Sequence, residues 1–565
     1  MIFLYSSKVF AVYINEDWKA LLHYRKNSAE SLIEDHSFFL HPDGHRDPQK
    51  ELDFFVKKWT SSLKNAEDLM CLFPTRVAWI LENEPQLDIY KQKARYCSDL
   101  LDFREKNKAE SIDFIYATSY LGHPASMFGH AFLRLKQRNV SDYRSPVIDY
   151  SAEILGDPSF LSYAYQGIAG YFSGRYSIGP YYRKKHLYAS MENRGLWIFS
   201  LNTKPLEIKR LVDHVWELRR IKNRYYFSSQ NCAYNILRLI SISTRNYDVI
   251  FDPKTRIFPL DIIHKLEKEN MITGVKNEES LSSEIQKITW NLSQKQIDHV
   301  FKSIKKDTFQ GLSSLELDFA AKWILYKNRH HIKELENYEK TKQSLVRVAR
   351  LRSKYPLYVA ENKNSHSESP HLSHGVQRLL FSAGRDVLRL EYRVAYHDAL
   401  DPLRGYPLGL SLEFFSLNFQ SDFEKMWLDN MRLFKMTSLY PVGKVFQKIS
   451  WDFKFDIFFD SYFISYLQPD VSIGGAYLLG KFLNYGLFGV QLKTQKKDML
   501  NTYIKFGTMS DFDKWKFLYE IIHYSQKSLE QKIFLGWGEE DYQLFSEIKI
   551  SREKLSMNYG MKIFY

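Results

Sequence analysis

Cysteine is scarce. The 565-residue chain has three, Cys71, Cys97 and Cys232, which leaves room for at most one intrachain disulfide and one free thiol. No His/Cys/Asp grouping has metal-ligand spacing, so no metal site is expected. Gly167, Gly170, Gly174 and Gly179 punctuate a Tyr-rich stretch over 163–182, but no strand–turn–helix frame surrounds them and no Gly-Lys-Ser/Thr ending follows. A phosphate cradle is excluded on that ground and no cofactor is expected; a loop over a cleft is the expected use. No apolar run reaches 18 residues, which excludes a membrane-spanning helix. Acidic charge is in deficit: 66 Asp and Glu against 79 Lys and Arg give a net charge of +13. Such a surplus suits an anionic lipid surface or nucleic acid. The basic residues are dispersed, with Lys-rich patches around 264–306 and 491–498 and no zinc-finger or RNA-binding signature, so nucleic acid is set aside.

What is abundant is aromatic: 38 Tyr and 40 Phe. The length exceeds what one core can serve, so two to four domains are expected. The start, Met1 to Tyr13, is apolar but lacks a basic leading segment and is interrupted by Lys8; it reads as an incomplete secretory signal. Residues 1–110 form a helical N-terminal domain, with Asp47-Pro48 as cap and first residue of one helix. Residues 111–250 are mixed α+β. Residues 251–369 are a charged helical extension, with a boundary at the polar stretch Asn362–Ser369.

Residues 370–565 alternate. Leu388, Leu390, Tyr392 and Val394 interleave with Arg389, Glu391 and Arg393; Trp451, Phe453, Phe455 and Ile457 interleave with Asp452, Lys454 and Asp456; the same holds from Leu555 to Tyr565. Strict period two predicts strands with one apolar face. Ten to twelve such segments, near the length of outer-membrane strands, predict an antiparallel β-barrel of that type; a soluble sandwich or a barrel with a filled interior is the competing reading. His374 and the His397-Asp398, Asp401, Arg404 group invite a catalytic reading, but Asp398–Pro402 reads better as a turn held by side-chain hydrogen bonds.

The chemistry sits in two stretches. Ser126-Met127-Phe128-Gly129-His130 places a histidine after a small-residue turn and at the start of a strand. Gln230-Asn231-Cys232 places a thiol where an apolar helix begins, and a helix N-terminus favours thiolate. His130 would supply the base. Gly129 permits close approach to the backbone. Gln230 or Asn231, with the N–H groups of the helix start, would hold an oxyanion. A third residue should orient the imidazole; His123, Asp149 and Glu153 are candidates. In an oxidising compartment Cys71 and Cys97 can pair and leave Cys232 free; three reduced thiols is the alternative.

The Ser-x-x-Gly-His-x-x-x-Arg setting at Ser126–Arg134 and Asn-Cys-x-x-x-x-Leu at Asn231–Leu237 resemble the Lnb N-terminal periplasmic domain family. Cys71-x-Phe-Pro-x-Arg and Arg393-Val394-Ala395-Tyr396-His397-Asp398 resemble flanking regions that accompany it in Gram-negative proteins. The order His then Cys is similar to circularly permuted papain-like thiol enzymes. The resemblance implies a papain-like fold over 111–250 and an acyl group carried on Cys232, as in lipoprotein N-acylation. It implies a membrane lipid or lipoprotein as substrate and a location at the periplasmic face of the outer membrane. The helical membrane domain of Lnb is missing here, which departs from that branch. An amidase or peptidase with the same thiol, or a non-catalytic outer-membrane scaffold that binds a lipid or partner, are the alternatives.

Overall fold

The computed structural model describes residues 13–25, 28–89, 97–119, 128–154, 156, 159–247, 256–330, 335–356, 369–385, 387–460, 463–494, 499–525, 528–551 and 555–565. The start of the chain, the His123 and Ser126 readings and part of the 362–369 boundary lie outside them. Two compact units emerge: residues 1–187 with 196–278, and residues 188–195 with 279–565.

The first unit opens with helices. Pro48–Ser61 begins as the sequence requires: the Asp47 carboxylate accepts from the Gln49 and Lys50 N–H groups, and Pro48 has no N–H to lose. Leu63–Leu72 and Pro74–Asn83 follow. Trp18, Phe55, Trp59 and Trp79 are buried between them. The Phe-Pro-x-Arg element explains itself here. Arg76 is fully buried, ion-paired to Glu51 at 3.2 Å, donating to the Phe38 carbonyl at 2.9 Å, and stacked on the Phe38 and Phe73 rings. A guanidinium so enclosed holds the helices only because every neighbour offers charge, an acceptor or a π-face.

A seven-stranded antiparallel sheet follows. Its strands are β1 (Ser111–Ala117), β2 (His130–Lys136), β3 (Pro146–Glu153), β4 (Phe172–Pro180), β5 (Leu196–Leu201), β6 (Asn223–Tyr225) and β7 (Ile272–Glu278), in the order β6-β4-β3-β2-β1-β5-β7. The central strands β1 and β2 are buried along nearly their whole length, so they are apolar on both faces apart from the ion-paired Asp113 and Arg134. The helices Pro205–Leu218 and Cys232–Thr244 pack on this sheet. Strand β7 comes from beyond residue 250, because β5 would otherwise be left as an open edge.

The glycine-punctuated stretch is not a loop. It is the helix Phe160–Ala169 followed by β4. Its glycines admit rings: a Cβ on Gly167 would lie 2.2 Å from the Phe227 ring, and one on Gly170, at φ +75°, 2.3 Å from the Tyr226 ring. Composition that suggested a loop serves close packing instead.

In the second unit, the helices Leu281–Trp290, Gln294–Lys306, Ser314–Asn328 and Leu335–Arg352 enclose a core of Ile285, Ile297, Val300 and Phe319. Twelve strands then close into an antiparallel barrel: β8 (Arg378–Ala383), β9 (Leu388–His397), β10 (Leu410–Ser421), β11 (Met426–Ser438), β12 (Ser450–Asp460), β13 (Phe463–Leu479), β14 (Phe482–Leu492), β15 (Leu500–Phe512), β16 (Trp515–Tyr524), β17 (Leu529–Gly538), β18 (Tyr542–Ile550) and β19 (Leu555–Phe564). Pairing of β19 with β8 completes the ring. The alternation is that of a membrane barrel. On β15, Asn501, Tyr503 and Lys505 face inward, while Leu500, Ile504 and Phe506 are exposed. Apolar outside and polar inside is the pattern that lipid demands, so the barrel is of the outer-membrane type.

One end of the lumen is filled by the chain itself. The turn between β9 and β10 folds inward. Asp398 accepts from the Leu400 N–H at 2.8 Å, and Asp401 accepts from the Asp398 N–H at 2.9 Å, as expected for a turn held by its own side chains. Asp401 also binds Arg378 at 2.7 Å, Arg393 at 2.5 Å and Lys562 at 3.0 Å, from β8, β9 and β19. One ligand atom each of His374, His397 and Asp401 lies within 4.8 Å of the others, a metal-like spacing that the sequence does not show. The Asp401 oxygens are occupied by the three cations, and His374 Nε2 meets His397 Nδ1 at 2.9 Å.

Removing the Asp401 carboxylate would leave these buried cations facing one another. Asp401→Ala is expected to lose about 3–5 kcal/mol of stability, read as an earlier loss of the folded band on heating before electrophoresis. Arg404→Ala, whose partner Glu540 is at the surface, should leave that temperature nearly unchanged.

Candidate functional site

Cys232 is the first residue of the helix Cys232–Thr244, capped by Asn231, whose Oδ1 accepts from the Tyr234 N–H at 3.1 Å. That helix packs on β2 and β3, so its N-terminus meets the first residue of β2, His130. Four groups converge on the sulfur. The His130 imidazole, the Ala131 backbone N–H and the Tyr225 hydroxyl all hydrogen-bond to it, and the helix N-terminus lies beneath it. The Tyr225 oxygen in turn accepts from the Cys232 N–H at 3.1 Å, which points the phenol proton toward the thiol.

The imidazole is held from its far side. His130 Nε2 donates to Asp149 Oδ1 at 2.6 Å, and Lys184 Nζ binds the other carboxylate oxygen at 2.5 Å. This leaves His130 Nδ1 for the thiol. Register explains the choice of Asp149 among the three candidates. Asp149 on β3 is paired with Phe132 on β2. His130 is two residues from Phe132 and so on the same face, diagonal to the carboxylate. Glu153 instead binds Arg175 at 2.7 Å and Lys222 at 3.0 Å.

The electrostatics follow from burial and from these partners. Burial disfavours both charged forms. It is outweighed at His130 by Cys232 and Asp149, which hold the imidazolium up to about 9. Burial also opposes the thiolate, but the His130 charge and the three hydrogen bonds to sulfur bring the Cys232 thiol below its ordinary value. Asp149 is likewise buried, yet His130 and Lys184 hold it well below the usual carboxylate range. The three groups therefore favour a thiolate–imidazolium pair backed by an ionised carboxylate.

Other expectations are relocated. Gly129 has φ +91°, and a Cβ there would lie 2.3 Å from the Tyr116 ring and 2.9 Å from the Ala117 carbonyl; only glycine fits the entry to β2. The Asn231 amide is not directed at the sulfur. It donates to the carbonyls of Phe227 at 3.1 Å and Ile257 at 2.7 Å, so it pins the loop before the helix. Gln230 contributes its carbonyl to Asn235 Nδ2 at 3.3 Å. Arg134 donates from Nε and Nη2 to Asp113 Oδ2 at 3.0 and 2.7 Å and braces β1 against β2. Tyr225 and Lys184 were not singled out in the sequence. Tyr225 stands seven residues before Cys232 in an aromatic run, which was a usable signal; Lys184 had none.

Cys71 and Cys97 are drawn together away from this site. Burial and a hydrogen bond from Cys97 push the Cys71 thiol up to about 12.

Comparison with known proteins accounts for most of the chain in three segments. Residues 100–269 match the Lnb N-terminal periplasmic domain. Residues 367–532 match a domain of unknown function, DUF7840, and residues 11–83 another, DUF7843. No curated protein matches the chain. Among solved structures, the KdgM porin aligns at 9% identity over 34% of this chain and 98% of that one, with a TM-score of 0.24. A loop-deletion mutant of OmpT from Vibrio cholerae aligns at 9% identity over 34% and 97%, TM-score 0.17. A triple-mutant porin of Rhodopseudomonas blastica aligns at 5% over 34% and 98%, TM-score 0.16. The barrel assignment rests on this chain's own pairing and alternation. Residues 100–269 belong to the Lnb N-terminal periplasmic domain family, on a chain that ends in a closed twelve-stranded barrel of the outer-membrane type.

Proposed function

We propose that the chain is a thiol acyltransferase of the bacterial envelope, drawing acyl groups from membrane lipid or lipoprotein. The observation that supports this best is the buried chain of contacts Cys232–His130–Asp149. The Cys232 thiolate attacks an ester carbonyl. Charge develops on the carbonyl oxygen and is met by N–H groups of the helix start. As the tetrahedral intermediate collapses, His130 gives its proton to the leaving alcohol, and the acyl group remains on sulfur. An acceptor amine or alcohol then attacks the thioester, His130 takes its proton, and the thiolate leaves. Asp149 keeps the ring in one tautomer and orientation, and Lys184 positions Asp149. Tyr225 steadies the sulfur as charge leaves and returns.

The acyl reading draws on the family of residues 100–269 and on a membrane barrel that keeps the catalytic unit near lipid. The same thiol could serve water as acceptor and cleave amides. Oxidation in the periplasm joins Cys71 to Cys97, whose thiols are already in contact, and leaves Cys232 reduced.

Cys232→Ser and His130→Ala should each abolish covalent labelling of the folded protein by an acyl-thioester probe, and Asp149→Asn should slow it by about 100-fold or more. Undiminished labelling of Cys232→Ser would remove the nucleophile. Mass spectrometry of the labelled species in vesicles separates the readings: an acylated acceptor supports transfer, a cleaved peptide supports amide hydrolysis.

The pH dependence follows from the signs. The thiolate persists above its lowered pKa and is lost as pH falls through it; the imidazolium persists below about 9 and is lost as pH rises through that value. Acyl transfer should therefore follow a bell with its alkaline limb near 9. At about pH 6.5, where an ordinary thiol is only about 1% ionised, alkylation of Cys232 by iodoacetamide should outpace that of a free thiol. In His130→Ala only the Ala131 N–H and the Tyr225 hydroxyl still oppose burial, and alkylation at that pH should drop at least about tenfold.

A further inference from the structure

The lumen of the second unit carries charge that a plain membrane anchor does not need. Beyond the inward turn, the barrel encloses a cavity of about 360 Å³, lined by nine Lys and Arg side chains against five Asp and Glu. Most of these cations have a carboxylate of their own. Lys435 binds Asp398 at 3.0 Å, Lys505 binds Asp452 at 3.0 Å, Arg432 binds Asp456 at 2.7 Å and Lys454 binds Asp470 at 3.3 Å.

The exception lies toward the end opposite the turn. Lys532 on β17 and Lys549 on β18 are direct cross-strand partners, and both lean on one carboxylate, Glu547, at 2.9 and 3.0 Å. Arg389, second residue of β9, lines the same cavity. Among the described residues no carboxylate lies within ion-pair distance of it, and its buried Nε has no acceptor. Like charges directly opposed across a ladder are destabilising. Glu520 on β16, the cross-strand partner of Lys532 on its other side, lines the same cavity, so three cations around two carboxylates leave a local surplus of one positive charge.

We propose that this end of the lumen binds a phosphate group, with Lys532, Lys549 and Arg389 as its donors. The surplus is of the sign an anion needs, and a guanidinium beside two ammonium groups suits the oxygens of a phosphate monoester. The cavity falls at the lower end of the size range of small-molecule pockets, so a phosphorylated sugar is the largest body it takes whole. The phosphate can belong to a free sugar phosphate or to the phosphorylated sugar headgroup of a lipid.

The test uses the full chain. In lipid-free detergent, calorimetry with glucose 1-phosphate and with inorganic phosphate reads the free source. In nanodiscs, native mass spectrometry with lipid A, with or without its phosphates, reads the lipid source. Saturable binding of either source, weakened about tenfold or more by Arg389→Gln and by Lys549→Gln and unchanged by Lys481→Gln at the exposed β13–β14 turn, supports the site; the arm that binds names the source. Folding is checked by the heat-shifted band. Lys549→Gln relieves repulsion, so it should unfold no earlier than the unmodified chain without phosphate, and phosphate should raise the unfolding temperature of the unmodified chain alone. Absence of saturable binding in both arms, or equal binding by the two lumen variants, overturns the proposal.

Discussion

The first unit depends on one contact, that between a thiol at a helix start and an imidazole at a strand start. The thiol is buried and the imidazole nearly so, and burial alone would leave both neutral. What reverses this is the number of partners. The sulfur receives the imidazole, the Ala131 N–H and the Tyr225 hydroxyl; the imidazole receives the sulfur and Asp149; Asp149 receives Lys184. Charge alternates along this row, so each member stabilises the ionised form of the next. The scaffold serves that order. Antiparallel pairing of β2 with β3 sets Asp149 diagonal to His130, and the helix Cys232–Thr244 packed on both strands brings the sulfur to the same spot.

Several polar residues that look like chemistry are structural. Arg76 and Arg134 are buried guanidiniums whose hydrogen bonds fix helix to helix and strand to strand. The Asn231 amide caps the helix and ties its lead-in loop to the Phe227 and Ile257 carbonyls. It acts on the site by holding Cys232 at the helix start. The same distinction applies to His374, His397 and Asp401, where a ligand-like grouping is held by three cations from neighbouring strands.

The barrel obeys the opposite rule of burial. Lipid rewards apolar side chains on its outer surface, and the polar residues turn inward, where each charge needs a partner. The inward turn at 398–409 is held in this way: Asp398 and Asp401 meet cations carried on four different strands. The fold thereby converts charges that would be costly in a lipid-facing position into cross-links between strands.

Local structure was legible because its causes are local. Asp47-Pro48 started a helix, and period two marked the barrel strands. His130 and Cys232 could be chosen because a histidine after glycine and a thiol at a helix start are visible in a short window. Strand register across the sheet decided the rest. Asp149 over Glu153, the service of Lys184, the loss of Asn231 to capping and the use of glycines to admit aromatic rings all follow from which residues lie opposite one another, a long-range fact that no window contains. The sequence alone determined which elements form and which atoms can react; only the tertiary structure decided which of those atoms meet, because pairing between distant strands sets the few ångströms that separate a catalytic contact from a salt bridge elsewhere.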